Sequence, residues 1–153
     1  MSFITIKGGN EIAGRIRNVA QLRGVKSAIA RGALHLKNAI AQYPAASEAN
    51  RPTGYPGHWY ERGYGPRWAR KGGGAGGRRT SETLGRKWTV AKRNGGLTAV
   101  IGNNVSYGPY VQDRGKQAEF HARRGWRTTD DVVEREGEAV VSWVAEKIEK
   151  ALS

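Results

Sequence analysis

Apolar positions in this chain follow helical spacing at both ends and strand-like spacing in two short runs, with a long aperiodic stretch between. Ile12, Ile16, Val19, Ile29, Ala33, Leu36 and Ile40 recur at steps that keep one face apolar. That pattern predicts an amphipathic helix of about 30 residues, roughly 45 Å long. Asn10 offers a side-chain oxygen to cap it, Glu11 stands in the first turn where the helix dipole favours an acid, and Pro44 marks its end. Gly24 and Gly32 each weaken it by about 1 kcal/mol relative to alanine, which allows a kink. A second stripe, Val133, Gly137, Val140, Val144, Ile148 and Ala151, predicts a C-terminal helix with Trp143 flanking the stripe as its large core anchor. Thr128 and Asp131, three residues apart, form an imperfect capping box at its start.

The strand signals are shorter. Phe3 to Lys7 is β-branched and stopped by Gly8-Gly9. Lys87 to Lys92 and Leu97 to Gly102 bracket Arg93-Asn94-Gly95-Gly96, a hairpin signal because these residues accept the positive φ of a tight turn. The segment Tyr110 to Gln112, after Pro109, fits either helix or strand. Residues 44–80 hold four of the five prolines, the run Gly72 to Gly77 and no sustained period, and so read as a loop. A loop of this length in a compact domain is functional or awaits a partner. Its aromatic residues, with Trp59, Tyr60, Tyr64 and Trp68 among them, suit an arm that orders against neighbouring subunits, its rings giving contact area and its arginines the polar rim. The expected architecture is a single α+β domain over residues 1–153. It has a small, mostly antiparallel sheet, a long N-terminal helix, a C-terminal helix and an extended interaction loop at 44–80. Trp88 is expected to point into the core from a strand, and Tyr107 and Tyr110 to line the junction between hairpin and last helix.

Composition narrows the chemistry. A chain of 153 residues can bury a real core, although 22 glycines assign part of it to loops. With no cysteine it offers no disulfide, thiolate metal site or thiol nucleophile. The first residues lack a signal-peptide pattern and no window reaches membrane-spanning length, so the expectation is a soluble intracellular protein with no membrane partner. The net charge is +13, and it is segregated. Residues 48–96 carry eleven bases against three acids and residues 1–47 seven against one, whereas the remaining 57 residues carry eight against nine. Such an excess attracts polyanions or acidic protein surfaces, with strong salt dependence.

Candidate sites mostly dissolve into structure. The glycine run is followed by Arg78-Arg79-Thr80 and not by the Lys-Ser/Thr of a phosphate loop. His35, His58 and His121 lack ligand spacing, and the acids at the start of the last helix suit its dipole, so neither a metal nor another cofactor is expected. No serine sits in a nucleophile elbow, and no catalytic constellation is found. Binding remains. Arg123, Arg124 and Arg127 surround Trp126, with His121 near, and could stack on bases or clamp phosphates. The duller reading has Trp126 packed on the sheet and the arginines facing water or pairing with the acidic helix. A structural Trp126 with interface arginines is preferred.

Two segments, Arg79-Thr80-Ser81-Glu82-Thr83-Leu84-Gly85-Arg86-Lys87-Trp88-Thr89-Val90 and Tyr107-Gly108-Pro109-Tyr110-Val111-Gln112, resemble tail completion proteins of long-tailed bacteriophages. The stretches Tyr43 to Pro52, Trp59 to Gly65, Gln117 to His121 and Gly125 to Thr128 extend the resemblance over most of the chain in the same order. It implies a structural virion protein that assembles with itself into a closed ring, a hexamer, at the head–tail junction. Its implied partners are the tail tube or tail terminator protein and the head–tail connector or neck proteins, with transient contact to genomic DNA and assembly in the bacterial cytoplasm. Head-to-tail closure needs two different complementary patches. The expected pair is the basic loop and first helix of one copy against the acidic last helix of the next. Its interface residues are then Trp59, Tyr60, Arg62, Tyr64, Arg67, Trp68, Arg70, Arg78 and Arg79 on the loop, Arg114, Arg123 and Arg124 further on, and Glu134, Glu136 and Glu138 on the helix. The alternative is a DNA-binding protein that uses its basic loop, either lining the DNA channel or acting as a free module.

Overall fold

The turn at Asn94, Gly95 and Gly96 organises the sheet, since all three residues adopt positive φ (50°, 62° and 93°) and only glycine and asparagine do so cheaply. The computed structural model describes residues 2–6, 19–44, 68–69, 75–76 and 83–152. Their elements in chain order are β1 (Ser2–Ile6), α1 (Val19–Ile40), β2 (Trp68–Ala69), β3 (Ala75–Gly76), α2 (Thr83–Arg86), β4 (Trp88–Arg93), β5 (Thr98–Asn103), α3 (Gly108–Gln112), α4 (Glu119–Arg123) and α5 (Thr129–Leu152). β4 and β5 pair antiparallel around the turn, which closes through the Leu97 amide donating to the Asn94 carbonyl at 3.2 Å. β1 pairs antiparallel on the other side of β5, giving the order β1-β5-β4 with Ile4, Ile101 and Val90 in one row. The protein is therefore α+β, with the short N-terminal strand and the central hairpin where the sequence pattern places them.

Alternation assigns the two faces of the sheet. Ile4, Trp88, Ala99 and Ile101 are buried beneath the helices, with Ile6 and Val90 packed against them, whereas Phe3, Thr89 and Ala91 are exposed on the opposite face. α1 lies over β5 and β4, and α5 lies beside α1 and reaches β1. The two helices run antiparallel, because Gly32 meets Val140 while His35, further along α1, meets Glu136, which lies earlier in α5.

α1 contributes Val25, Ile29, Ala33, Leu36 and Ile40 to the core, and α5 contributes Val132, Val140 and Ala151. Burying each of the valines, isoleucines and the leucine is worth about 1.5–3 kcal/mol and holds the helices on the sheet. The predicted stripe of α5 needs correction at its start, where Val132 is buried and Val133 is 43% exposed. Trp143 stands beside the helix seam, half-buried. It is not a central anchor, for Trp88 and Trp126 are far more enclosed. α1 continues unbroken through Gly24 and Gly32. The proposed helix start at Asn10 lies outside the described residues.

Within the stretch read as loop, β2 and β3 form an antiparallel pair with Trp68 opposite Gly76 and Ala69 opposite Ala75. Two-residue strands leave no period for a sequence reading to detect. No helix among the described residues is long and apolar enough to cross a membrane.

Candidate interaction surface

Residues 83–90 and 107–112 meet at the C-terminal end of α1. Trp88 is buried, and its indole Nε1 donates to Gln112 Oε1 at 3.2 Å. Gln112 Nε2 in turn donates to the Ile40 carbonyl at 2.7 Å, one of the carbonyls that a helix end leaves without an internal donor. Asn103 Nδ2 donates to the Leu84 carbonyl at 2.7 Å, and Asn103 Oδ1 accepts from the Val105 amide at 3.0 Å. Leu84, Val111 and Trp126 form a second small core flanked by Tyr43 and Val105, with the Tyr43 and Trp126 rings 4.9 Å apart. Gly85 fits against α1 because a Cβ there would lie 2.9 Å from the Ala41 carbonyl oxygen. Local packing thus accounts for Leu84, Gly85, Trp88, Val111 and Gln112. Trp126 fills this satellite core beyond the end of the sheet and does not pack on the sheet itself.

Sequence reasoning passed over Asn103 and Gln112 because both are polar. Position was the available signal. Asn103 shares strand parity with the inward Ala99 and Ile101, and Gln112 lies one helical turn after the buried Gly108.

Above this junction lies a braced surface. α3 is one turn long, so it has a single inner stripe. Gly108, Val111 and Gln112 take it. Tyr107 and Tyr110, expected in the core, are instead 47% and 60% exposed, and the remaining burial pushes the Tyr107 phenol pKa up. The following loop is pinned at several points. The Lys116 and Gln117 amides donate to the Asp113 carbonyl, the Gly115 amide to Asp113 Oδ1, and the Ala118 amide to the Tyr110 carbonyl at 2.9 Å. Gln117 Nε2 donates to the carbonyls of Val111 and Trp126 at 2.7 and 3.0 Å. α4 then presents Phe120 and Arg123 to solvent, with Arg123 Nε only loosely paired to Glu119 at 3.8 Å. His121 is half-buried edge-on to Trp126, and burial pulls its pKa down to about 4, so the ring is neutral at physiological pH.

Arg114, expected at an interface, is bound within its own chain. Its guanidinium grips Glu134 with both Nη atoms, at 2.6 and 2.9 Å, and reaches Asp131 at 2.9 Å, tying the loop to the first turns of α5. The Glu134 bonds push the Arg114 pKa up, and those same bonds lower that of Glu134. Burial pulls the Asp131 carboxyl upward, but bonds from Thr128 and Arg114 outweigh it and hold the pKa below its ordinary value. Glu136 is likewise engaged within the chain, 2.8 Å from His35 Nε2. Of the three predicted interface glutamates only Glu138 is exposed without an ion pair among the described residues. Arg123 is exposed and Arg124 half-exposed on the segment foreseen for them.

Trp59, Tyr60, Arg62, Tyr64, Arg67, Arg70, Arg78 and Arg79 lie outside the described residues, and Trp68 is described through its backbone pairing alone. Among the described residues no three His, Asp or Glu side chains gather as a metal ion requires. No family model, curated protein or solved structure matches the chain.

Proposed function

We propose that the protein is a structural assembly subunit that functions by contact with other copies and with neighbouring proteins. The observation that supports this reading is the exposure of Tyr107, Tyr110 and Phe120 beside Arg123 on a segment pinned by backbone and amide hydrogen bonds. Folding normally hides rings of this size or uses them, and a rigid surface of aromatics and arginine has the composition of an interface centre. The outer sheet face, with exposed Phe3 and uncharged Thr89 and Ala91, is a second and different surface, as head-to-tail closure requires.

The motif resemblance supplies the particular assembly. In this proposal copies close into a hexameric ring in the virion, at the junction of tail and head, between the tail tube or terminator and the connector. The charge complementarity expected between α1 of one copy and α5 of the next is reduced, because Glu134 and Glu136 are paired inside their own chain. The aromatic surface and the arginine-rich loop take over that role.

Purified protein examined by light scattering and electron microscopy tests the proposal. The wild type should form closed rings, and Tyr110→Ser combined with Phe120→Ser should return it to folded monomers. A wild type that stays monomeric alone and with tail tube subunits, or a double variant that still closes rings, would overturn it.

A further inference from the structure

Residues 19–44 and 83–112, which form α1, α2, the β4–β5 hairpin and α3, contain eight lysines and arginines and no aspartate or glutamate. Four of these cations gather where the hairpin turn meets the N-terminal part of α1. Lys26 lays its chain along the turn, so that a Cβ built on Gly96 would lie 3.5 Å from both its Cγ and its Cδ, and one built on Gly95 3.8 Å from its Nζ. Arg23 precedes Lys26 by one helical turn, on the same side. Lys92 and Arg93 close β4 opposite Ala99 and Thr98, pointing to opposite faces of the strand. Arg23, Lys92 and Arg93 are exposed, Lys26 is half-exposed, and none has an ion pair among the described residues.

We propose that this hairpin tip and the adjoining turn of α1 form a sequence-independent contact for the phosphate backbone of double-stranded DNA. The four cations flank the turn and do not converge on one point, which suits a row of separate phosphates better than a single small anion. Gly95 and Gly96 carry no side chains, so a backbone can approach the cations closely. An acidic protein partner would gain most from apolar area between the charges, and among the described residues the apolar side chain at the turn, Leu97, is buried beneath it. All four residues belong to one chain, so the contact needs no ring to form, and it differs from the long loop as the source of affinity for nucleic acid.

Fluorescence anisotropy with short DNA duplexes of two unrelated sequences, across a salt series, tests the proposal. Each phosphate neutralised adds about 0.9 to the magnitude of the slope of log K against log salt. The variant Arg23→Gln, Lys26→Gln, Lys92→Gln and Arg93→Gln should therefore lose about 3 to 4 units of slope and bind both duplexes more weakly by a similar factor. A control with Lys116→Gln, Arg135→Gln, Lys147→Gln and Lys150→Gln removes the same charge elsewhere and should keep the wild-type slope within about one unit. Circular dichroism confirms that both variants stay folded. Failure of the wild type to bind duplex, an unchanged slope in the tip variant, or an equal loss in the control would overturn the proposal. Rings can form or fail in the assembly experiment without altering these outcomes.

Discussion

Gly32 of α1 faces Val140 of α5 so closely that a methyl group at Gly32 would overlap the Cγ1 methyl of Val140. The glycine that looks like a weak point in the helix is the place where the two helices approach. Valine in a helix is held near one χ1 rotamer, so Val140 cannot swing clear cheaply. Gly32→Ala should destabilise the protein by up to about 2 kcal/mol, an overpacking cost of about 1–3 kcal/mol offset by about 1 kcal/mol from the better helix propensity of alanine. Gly24 has nothing within 4 Å of an added Cβ among the described residues, so Gly24→Ala should stabilise by up to about 1 kcal/mol. Urea unfolding of both variants checks the contrast. Val140→Ala in the Gly32→Ala background should recover part of the loss, and equal effects at Gly24 and Gly32 would count against the close approach.

Gln112 joins three elements through one buried amide. Removing it strands the Trp88 indole N–H and leaves the Ile40 carbonyl without its donor. Gln112→Ala should cost about 2–4 kcal/mol, combining about 1–3 kcal/mol for an unsatisfied buried group with lost packing. Gln42 is exposed just beyond the same helix end, so Gln42→Ala should change stability by less than about 0.5 kcal/mol. Denaturant midpoints at unchanged slope measure both.

What the sequence shows of this fold depends on whether the deciding interaction is local. Asn94-Gly95-Gly96 encodes its turn through its own φ angles, and the Thr128–Asp131 box through atoms three residues apart, so both were legible. The stripe of α5 was misread by one position at its start. Val140 fits both alternatives, and the charged Glu136 breaks the apolar series that begins at Val132. That charge is tolerated at the seam because His35, on the other helix, meets it. The bonds of Arg114 inside the chain are not legible in the sequence for a similar reason, its partners lying 17 and 20 residues away on a different element. Tyr107 and Tyr110, expected to line the junction between hairpin and last helix, stand exposed because a helix of one turn buries only the stripe that Val111 and Gln112 already fill.

His121 makes the protein sensitive to mild acid. Its pKa is lowered from 6.5 to about 4 by burial, so between those values the unfolded chain binds a proton that the folded protein resists. Stability from this residue is complete above pH 6.5 and is lost as pH falls toward 4. With the ring half-buried, solvent reduces the effect to on the order of 1 kcal/mol. Melting temperatures between pH 7 and 4 should fall for the wild type, and the fall should be shallower for His121→Phe. Parallel profiles for the two proteins would remove His121 as the cause.

The start of α5 rests on a reciprocal pair. The Thr128 amide donates to Asp131 Oδ2 at 2.8 Å, and the Asp131 amide donates to Thr128 Oγ1 at 3.1 Å, with aspartate doing the work usually given to glutamate or glutamine. Asp131 also accepts from Arg114, so the cap joins the helix start to the braced loop that carries the aromatic surface. Thr128→Ala should cost about 1 kcal/mol, the usual loss for an N-cap. Because the folded carboxyl of Asp131 titrates below its ordinary value, its contribution is present above the unfolded pKa and fades as pH falls through the folded one. Asp131→Asn should therefore flatten the acid limb of the stability profile below pH 4, a range distinct from that of His121. Hydrogen exchange gives the spatial check. Thr128→Ala should speed exchange of the first amides of α5 and of the Asp113 to Ala118 loop, and leave β4 and β5 protected. Faster exchange spread evenly over the whole chain would mean that the pair holds the global fold and not this one corner.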